Sequence, residues 1–164
     1  MLNLKKASII LISVLALVSA ASALEFSTLE ISVEENGDST IYLSYKLSLP
    51  ELIGYYTKIA DPTTEIKKQF EKYSENPVDI ISVSDTHLNF YVYNFAEVKS
   101  DNGSITYITP SMDFSNAEKI LKEHWISAII SFDLSPEKSR VVFPDSYFED
   151  FRGQIKLPSI THNT

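Results

Sequence analysis

LEISVEENGDSTIYLSYKL, residues 29–47, is the stretch whose reading decides the fold. Leu29, Ile31 and Val33 alternate with polar residues, and after Glu34-Glu35-Asn36-Gly37-Asp38 the alternation resumes at Ile41, Leu43, Tyr45 and Leu47. A period of two on both sides of an Asn-Gly is a strong local hairpin signal, because Asn and Gly accept the positive φ of a tight turn. Each strand carries its apolar side chains on one face only. This predicts an antiparallel sheet with one buried face.

Working outward, the next segment changes period. Ser48 and Glu51 are spaced as a capping box, Pro50 fits a first helical turn, and Leu52, Tyr55, Tyr56 and Ile59 share a helical face. Asp61 and Pro62 restart the pattern, which Ile66, Phe70 and Tyr73 continue, with Lys67 and Glu71 paired outside, until Asn76-Pro77 ends it. Two helices meeting at Pro62 are expected here.

Strands return at Val78 to Val83 and, after an Asp85-Thr86 turn, at His87 to Val98. In the second of these Leu88, Phe90 and Val92 line one face while Tyr91, Tyr93 and Phe95 line the other. A third hairpin runs from Val98 through Ser100-Asp101-Asn102-Gly103 to Ile105–Thr109. Beyond Pro110, Ser115 and Glu118 form another capping box, ahead of a helical face of Ala117, Ile120, Leu121 and His124-Trp125. Ile126 to Phe132 reads equally as more helix or as a buried strand. A last hairpin joins Arg140–Phe143 to Tyr147–Phe151 around Pro144-Asp145-Ser146, and the tail from Lys156 is expected to be irregular and frayed.

Runs of hairpins interrupted by helices point to an α+β fold, a twisted antiparallel sheet with helices packed on one face. The mature 141 residues suit a single domain, residues 24–164, with a substantial core.

The N-terminus has the layout of a signal peptide. Lys5 and Lys6 precede the apolar run Ala7–Val18, and small residues from Ser19 to Ala23 offer a cleavage site before Leu24, with a second after Ala21. The alternative is a retained anchor, since the uncharged stretch to Ala23 is 17 residues long, at the lower edge of about 17–25 residues for a bilayer span. Contact with a membrane is expected only in that case.

Removing residues 1–23 leaves 12 basic and 22 acidic residues, a net charge of −10. That sign disfavours nucleic acid and anionic membrane surfaces as partners. No cysteine is present, so neither disulfides, a thiolate metal site nor a thiol nucleophile is available.

Other chemistry is sparse. The glycines at 37, 54, 103 and 153 are too scattered for a phosphate loop, and no G-x-S-x-G or H-E-x-x-H occurs. His87 is expected to cap a turn, His124 to sit at a helix end and His162 to be a mobile surface residue. No catalytic, cofactor or metal site is assigned. Asn102-Gly103-Ser104 is a glycosylation sequon, although Asn-Gly there reads first as a hairpin turn. The candidate binding face is Tyr91, Tyr93 and Phe95, with Tyr55, Tyr56 and Tyr107 as neighbours, because rings with polar tips suit recognition. The expectation is an exported, non-catalytic module of the cell envelope or secreted set, binding an envelope protein, a glycan or its own copies. The alternatives are a hydrolase of envelope polymers using Asp133, Glu137, Asp145 or Glu149, and a membrane-tethered subunit.

Overall fold

The computed structural model describes residues 23–46, 76–123 and 131–164. The leader up to residue 22, the helices expected over 48–59 and 61–75, and His124 to Ile130 lie outside the described residues.

The predicted first hairpin is the centre of the molecule. Strands β1 (Ala23–Val33) and β2 (Ser39–Lys46) pair antiparallel from Glu25↔Lys46 to Val33↔Ser39. Burial alternates along β2, with Ile41, Leu43 and Tyr45 inside and Tyr42 and Lys46 outside. The pairing shifts between Phe26 and Thr28. That bulge lets Phe26 and Leu29, an odd number of residues apart, both point into the core, at 4% and 0% exposure.

Around this pair lie β3 (Val78–Val83), β4 (His87–Val92), β8 (Ser131–Asp133), β9 (Lys138–Val142) and β10 (Phe148–Phe151). The strand order is β10–β9–β1–β2–β4–β3, with β8 also against β1. β1 runs parallel to β8 and β9; the other pairings of this sheet are antiparallel. At the bulge the parallel edge is also interrupted: β8 ends at Asp133, the Glu137 N–H donates to the Phe26 carbonyl at 3.1 Å, and β9 begins one residue later.

Two small sheets complete the fold. One orders β12 (Thr161–Asn163), β6 (Ser104–Ile108) and β5 (Glu97–Asp101); the other pairs β7 (Met112–Asp113) with β11 (Lys156–Leu157). Tyr107 of β6, Leu157 of β11, and the connecting residues Phe143 and Ile160 share one core with Leu29, Ile31, Ile41, Leu43, Leu88, Phe90 and Val141 of the large sheet. Each such fully buried aliphatic side chain contributes about 2 kcal/mol by removing apolar surface from water.

The α+β expectation is therefore corrected. Strands make up 57% of the described residues, and the one described helix is α1, Ser115–Glu123. The inner face is covered by strands and their connections. The tail supplies much of that cover: the stretch expected to fray forms β11 and β12, because each finds an antiparallel partner, Lys156↔Asp113 and His162↔Tyr107. The capping box is also replaced. The Ser115 N–H donates to Asp113 Oδ1 at 2.9 Å, and Glu118 Oε2 accepts from the Leu134 N–H at 3.1 Å. Ser131 and Phe132, the end of the ambiguous segment, are in strand β8.

Candidate binding surface

The turn between β1 and β2 builds the site. The Glu34 N–H donates to the Asp38 carbonyl at 2.8 Å and the Gly37 N–H to the Glu34 carbonyl at 3.0 Å. Gly37 has φ +87°, a region open to glycine because it lacks Cβ. Asn36 and Asp38 lock the loop reciprocally: the Asn36 amide donates to Asp38 Oδ2 at 2.7 Å and the Asp38 N–H to Asn36 Oδ1 at 3.0 Å.

This loop then captures the end of β4. The Asn94 N–H donates to Asp38 Oδ1 at 2.7 Å, and the Ala96 N–H to the Gly37 carbonyl at 2.8 Å. Asn94 takes φ +49°, a left-handed conformation that Asn tolerates, and its carbonyl accepts from the Asn76 amide at 2.9 Å. The long strand expected from His87 to Val98 is accordingly two strands, β4 and β5, divided by a turn.

That turn splits the predicted aromatic face. Tyr91 and Tyr93 remain outward, their rings edge to face at 5.0 Å. Phe95 does not join them: the left-handed residue at 94 reverses the alternation, and Phe95 is buried in the core. Tyr107 is likewise buried, against Phe143. Tyr55 and Tyr56 lie outside the described residues.

Both outward rings are tied down through their hydroxyls. Tyr91 donates to Asp38 Oδ2 at 2.8 Å, with Glu34 Oε2 as an alternative acceptor at 3.1 Å, and Tyr93 donates to Asp79 Oδ2 at 2.8 Å. Asp38 is buried, which alone would raise its carboxyl; the hydrogen bonds from Asn94, Tyr91 and Asn36 outweigh that and hold it below its ordinary value. The bond to Asp38 pushes the Tyr91 phenol up to about 12, helped by burial and by Glu34. Tyr93 is raised by its bond to Asp79. Both phenols therefore stay neutral donors at physiological pH. A groove of about 660 Å³ reaches the site at Asn36 and Asn94 and is lined further by Glu97, Val98, Thr109 and Ser159 among others; neither tyrosine ring lines it.

The remaining sequence candidates lie elsewhere. Asn102 and Gly103, at φ +50° and +88°, are the two loop residues between Asp101 and Ser104 of β5 and β6, with Asn102 exposed at the tip. This is the geometry of a two-residue hairpin with both loop residues left-handed. His87 contacts Ser84 Oγ at 2.7 Å within its turn and stacks on Tyr42 at 5.5 Å. Asp133 accepts from the Ser135 N–H at 2.9 Å, and Glu137 pairs with Lys46 at 3.2 Å. Asp145 accepts from the Tyr147 N–H at 3.1 Å in the turn after β9, and Glu149 lies in β10 opposite Val141. Among the described residues no three His, Asp or Glu side chains are grouped to hold a metal ion.

His162 was not legible as a structured residue. It lies in β12, its Nε2 is 2.9 Å from Asp145 Oδ2, and its ring stacks on Tyr147 at 4.2 Å. No protein-family model matches this chain, and neither a curated protein nor a solved structure does.

Proposed function

We propose that the protein is an exported, non-catalytic binding module of the cell envelope or secreted set, and that it takes a glycan at the Tyr91–Tyr93 surface. The carrying observation is the pair of outward tyrosine rings held by Asp38 and Asp79, with an open groove that begins at the neighbouring Asn36 and Asn94. Rings fixed before binding lose little conformational freedom on contact. They offer apolar area to a sugar's C–H face, while Glu34, Glu97 and Asn94 provide acceptors and donors for hydroxyls. The single O–H of each phenol is engaged by Asp38 or Asp79, so towards a ligand the phenol oxygens act as acceptors.

Export rests on the leader pattern of residues 1–23. A cut before Leu24 would remove one residue of β1, which begins at Ala23. The mass of the native chain in soluble and membrane envelope fractions tests this. A soluble chain beginning near Leu24 is expected; an intact membrane-bound chain would instead make the protein a tethered subunit.

The ligand is tested by presenting the mature chain to immobilised envelope glycans and following tyrosine ring resonances with any glycan retained. Binding with shifts at Tyr91 and Tyr93 is expected. Retention of none of the glycans, or binding that leaves both rings unshifted, would overturn the glycan reading in favour of a protein partner or self-association.

A further inference from the structure

Asn-Gly occurs twice in the chain, at Asn36-Gly37 and at Asn102-Gly103, and the fold treats the two pairs in opposite ways. Both sit in hairpin turns, with the glycine at nearly the same φ, +87° and +88°. The dipeptide has a chemistry of its own. Glycine carries no Cβ, so its backbone nitrogen can approach the side-chain carbonyl carbon of the preceding Asn. That approach needs a free carboxamide, an unshared N–H and room for the backbone to turn.

At the first turn all of these are withheld. The Asn36 carboxamide donates to Asp38 Oδ2 at 2.7 Å and accepts from the Asp38 N–H at 3.0 Å, and the Gly37 N–H donates to the Glu34 carbonyl at 3.0 Å. Gly37 is buried, its carbonyl accepts from the Ala96 N–H at 2.8 Å, and a Cβ added to it would meet the Ala96 carbonyl oxygen and Val98 Cγ2. At the second turn all of them are present. Residues 101 to 105 are exposed. Among the described residues no hydrogen bond engages the Asn102 carboxamide or the Gly103 N–H, and nothing lies within 4 Å of a Cβ added to Gly103. The turn closes on β5, an edge strand whose five residues are all exposed. Such elements open at low free energy, ahead of the core.

We propose that Asn102 is a self-modifying site, converted by water to aspartate and isoaspartate through a succinimide, while the 34–38 loop preserves Asn36. The Gly103 nitrogen gives up its proton and bonds to Asn102 Cγ. The Cγ–Nδ2 bond breaks, and ammonia leaves with that proton. Water then cleaves one of the two imide C–N bonds. Cleavage at Cγ leaves aspartate in the ordinary chain; cleavage at the backbone carbonyl carbon of residue 102 leaves isoaspartate, with the chain routed through Cγ. Water is the one co-reactant. Either product sets a new carboxylate beside Asp101, and isoaspartate lengthens a two-residue loop built on positive φ at both positions. Loosening of β5 reaches the groove, because Glu97 and Val98 line it.

The test holds the mature chain in mildly alkaline buffer and follows both Asn-Gly peptides by mass spectrometry, with fragmentation that tells aspartate from isoaspartate. In the folded chain the Asn102 peptide should convert to both products, and the Asn36 peptide at least about tenfold more slowly, the effect of a loop-opening cost of about 1.4 kcal/mol. In guanidinium, where neither turn exists, the two should convert at similar rates. Asp38→Ala, which removes the acceptor of the Asn36 amide, should speed conversion at Asn36 and leave Asn102 unchanged. An intact Asn102 in the folded chain, or equal folded-state rates at the two sites, would overturn the proposal. So would an Asn36 that stays slow in guanidinium, because the protection would then not come from the fold. The comparison of folded with unfolded wild type stays decisive should Asp38→Ala fail to fold. No ligand enters the measurement, so its failure would be distinct from failure of the glycan reading.

Discussion

The backbone N–H of Asn94 donates to Asp38 Oδ1 at 2.7 Å, across a separation of 56 residues. One buried carboxylate thereby joins the first hairpin to the end of β4 and holds the Tyr91 hydroxyl, while Asp79 holds that of Tyr93.

Replacing Asp38 with Ala should cost about 3 kcal/mol in denaturant unfolding, since it strands the Asn94 N–H and removes charge-assisted bonds from Tyr91 and Asn36. Asp38→Asn, which keeps one acceptor oxygen, should cost less. The pH dependence has a definite sign. The folded-state carboxyl lies below its ordinary 3.8, so its contribution is complete above the ordinary value and is lost as pH falls through the lowered one. Asp38→Asn should therefore flatten the acid limb of stability below about pH 4 and leave the slope above about pH 5 unchanged.

Two glycines with nearly equal φ separate steric crowding from backbone strain. Gly37 (φ +87°) faces the Ala96 carbonyl oxygen and lies 2.8 Å, measured from an added Cβ, from Val98 Cγ2; Gly103 (φ +88°) has nothing within 4 Å. Gly103→Ala should cost about 1 kcal/mol, the strain alone. Gly37→Ala should cost at least about 2 kcal/mol more, because backbone must move. Equal losses in thermal unfolding would mean that the 36–38 loop is not pressed against residues 96–98.

Asp113 reports on the pairing of β7 with β11. Lys156 lies opposite it in register, 2.7 Å from Oδ2, and this bond, with those from Ser115, holds the carboxyl at about 2. A carboxyl carbon titration should find that midpoint, and Lys156→Ala should move it up towards 3.8. The sign matches that of Asp38: the favourable contribution is present above the ordinary value and disappears as pH falls towards the lowered one. High salt should shrink the shift, as the pair is solvent-exposed. An ordinary midpoint in the wild type would contradict the pairing.

What was legible in the sequence was local. Period two around Asn36-Gly37 and around Asn102-Gly103 reports the backbone directly, and both hairpins form in the expected places. Simple alternation put Tyr91 and Tyr93 on the face opposite Leu88, Phe90 and Val92; the departure of Phe95 from that face was not legible, because a single left-handed residue at Asn94 reverses parity and is stabilised by a carboxylate 56 residues away. The parallel pairing of β1 with β9 joins Ile31 to Val141, a separation at which no periodicity carries information. β11 and β12 have two and three residues, too short to show a period, so the tail was read as irregular and His162 as a surface residue. Where helical cover was inferred for the sheet, Leu157 of β11 and Ile160 of the tail join its core among the described residues.

The most direct test of the account compares Tyr93→Ala with Tyr147→Ala in titrations of the mature chain with a glycan retained in the screen. The two tyrosines are similarly exposed, at 38% and 44%, but only Tyr93 is joined to the Asp38–Tyr91 assembly through its ring contact. The account predicts that Tyr93→Ala weakens binding at least about tenfold, as loss of an aromatic anchor does, while Tyr147→Ala binds like wild type. Equal affinity for wild type and Tyr93→Ala, or a loss confined to Tyr147→Ala, would contradict it.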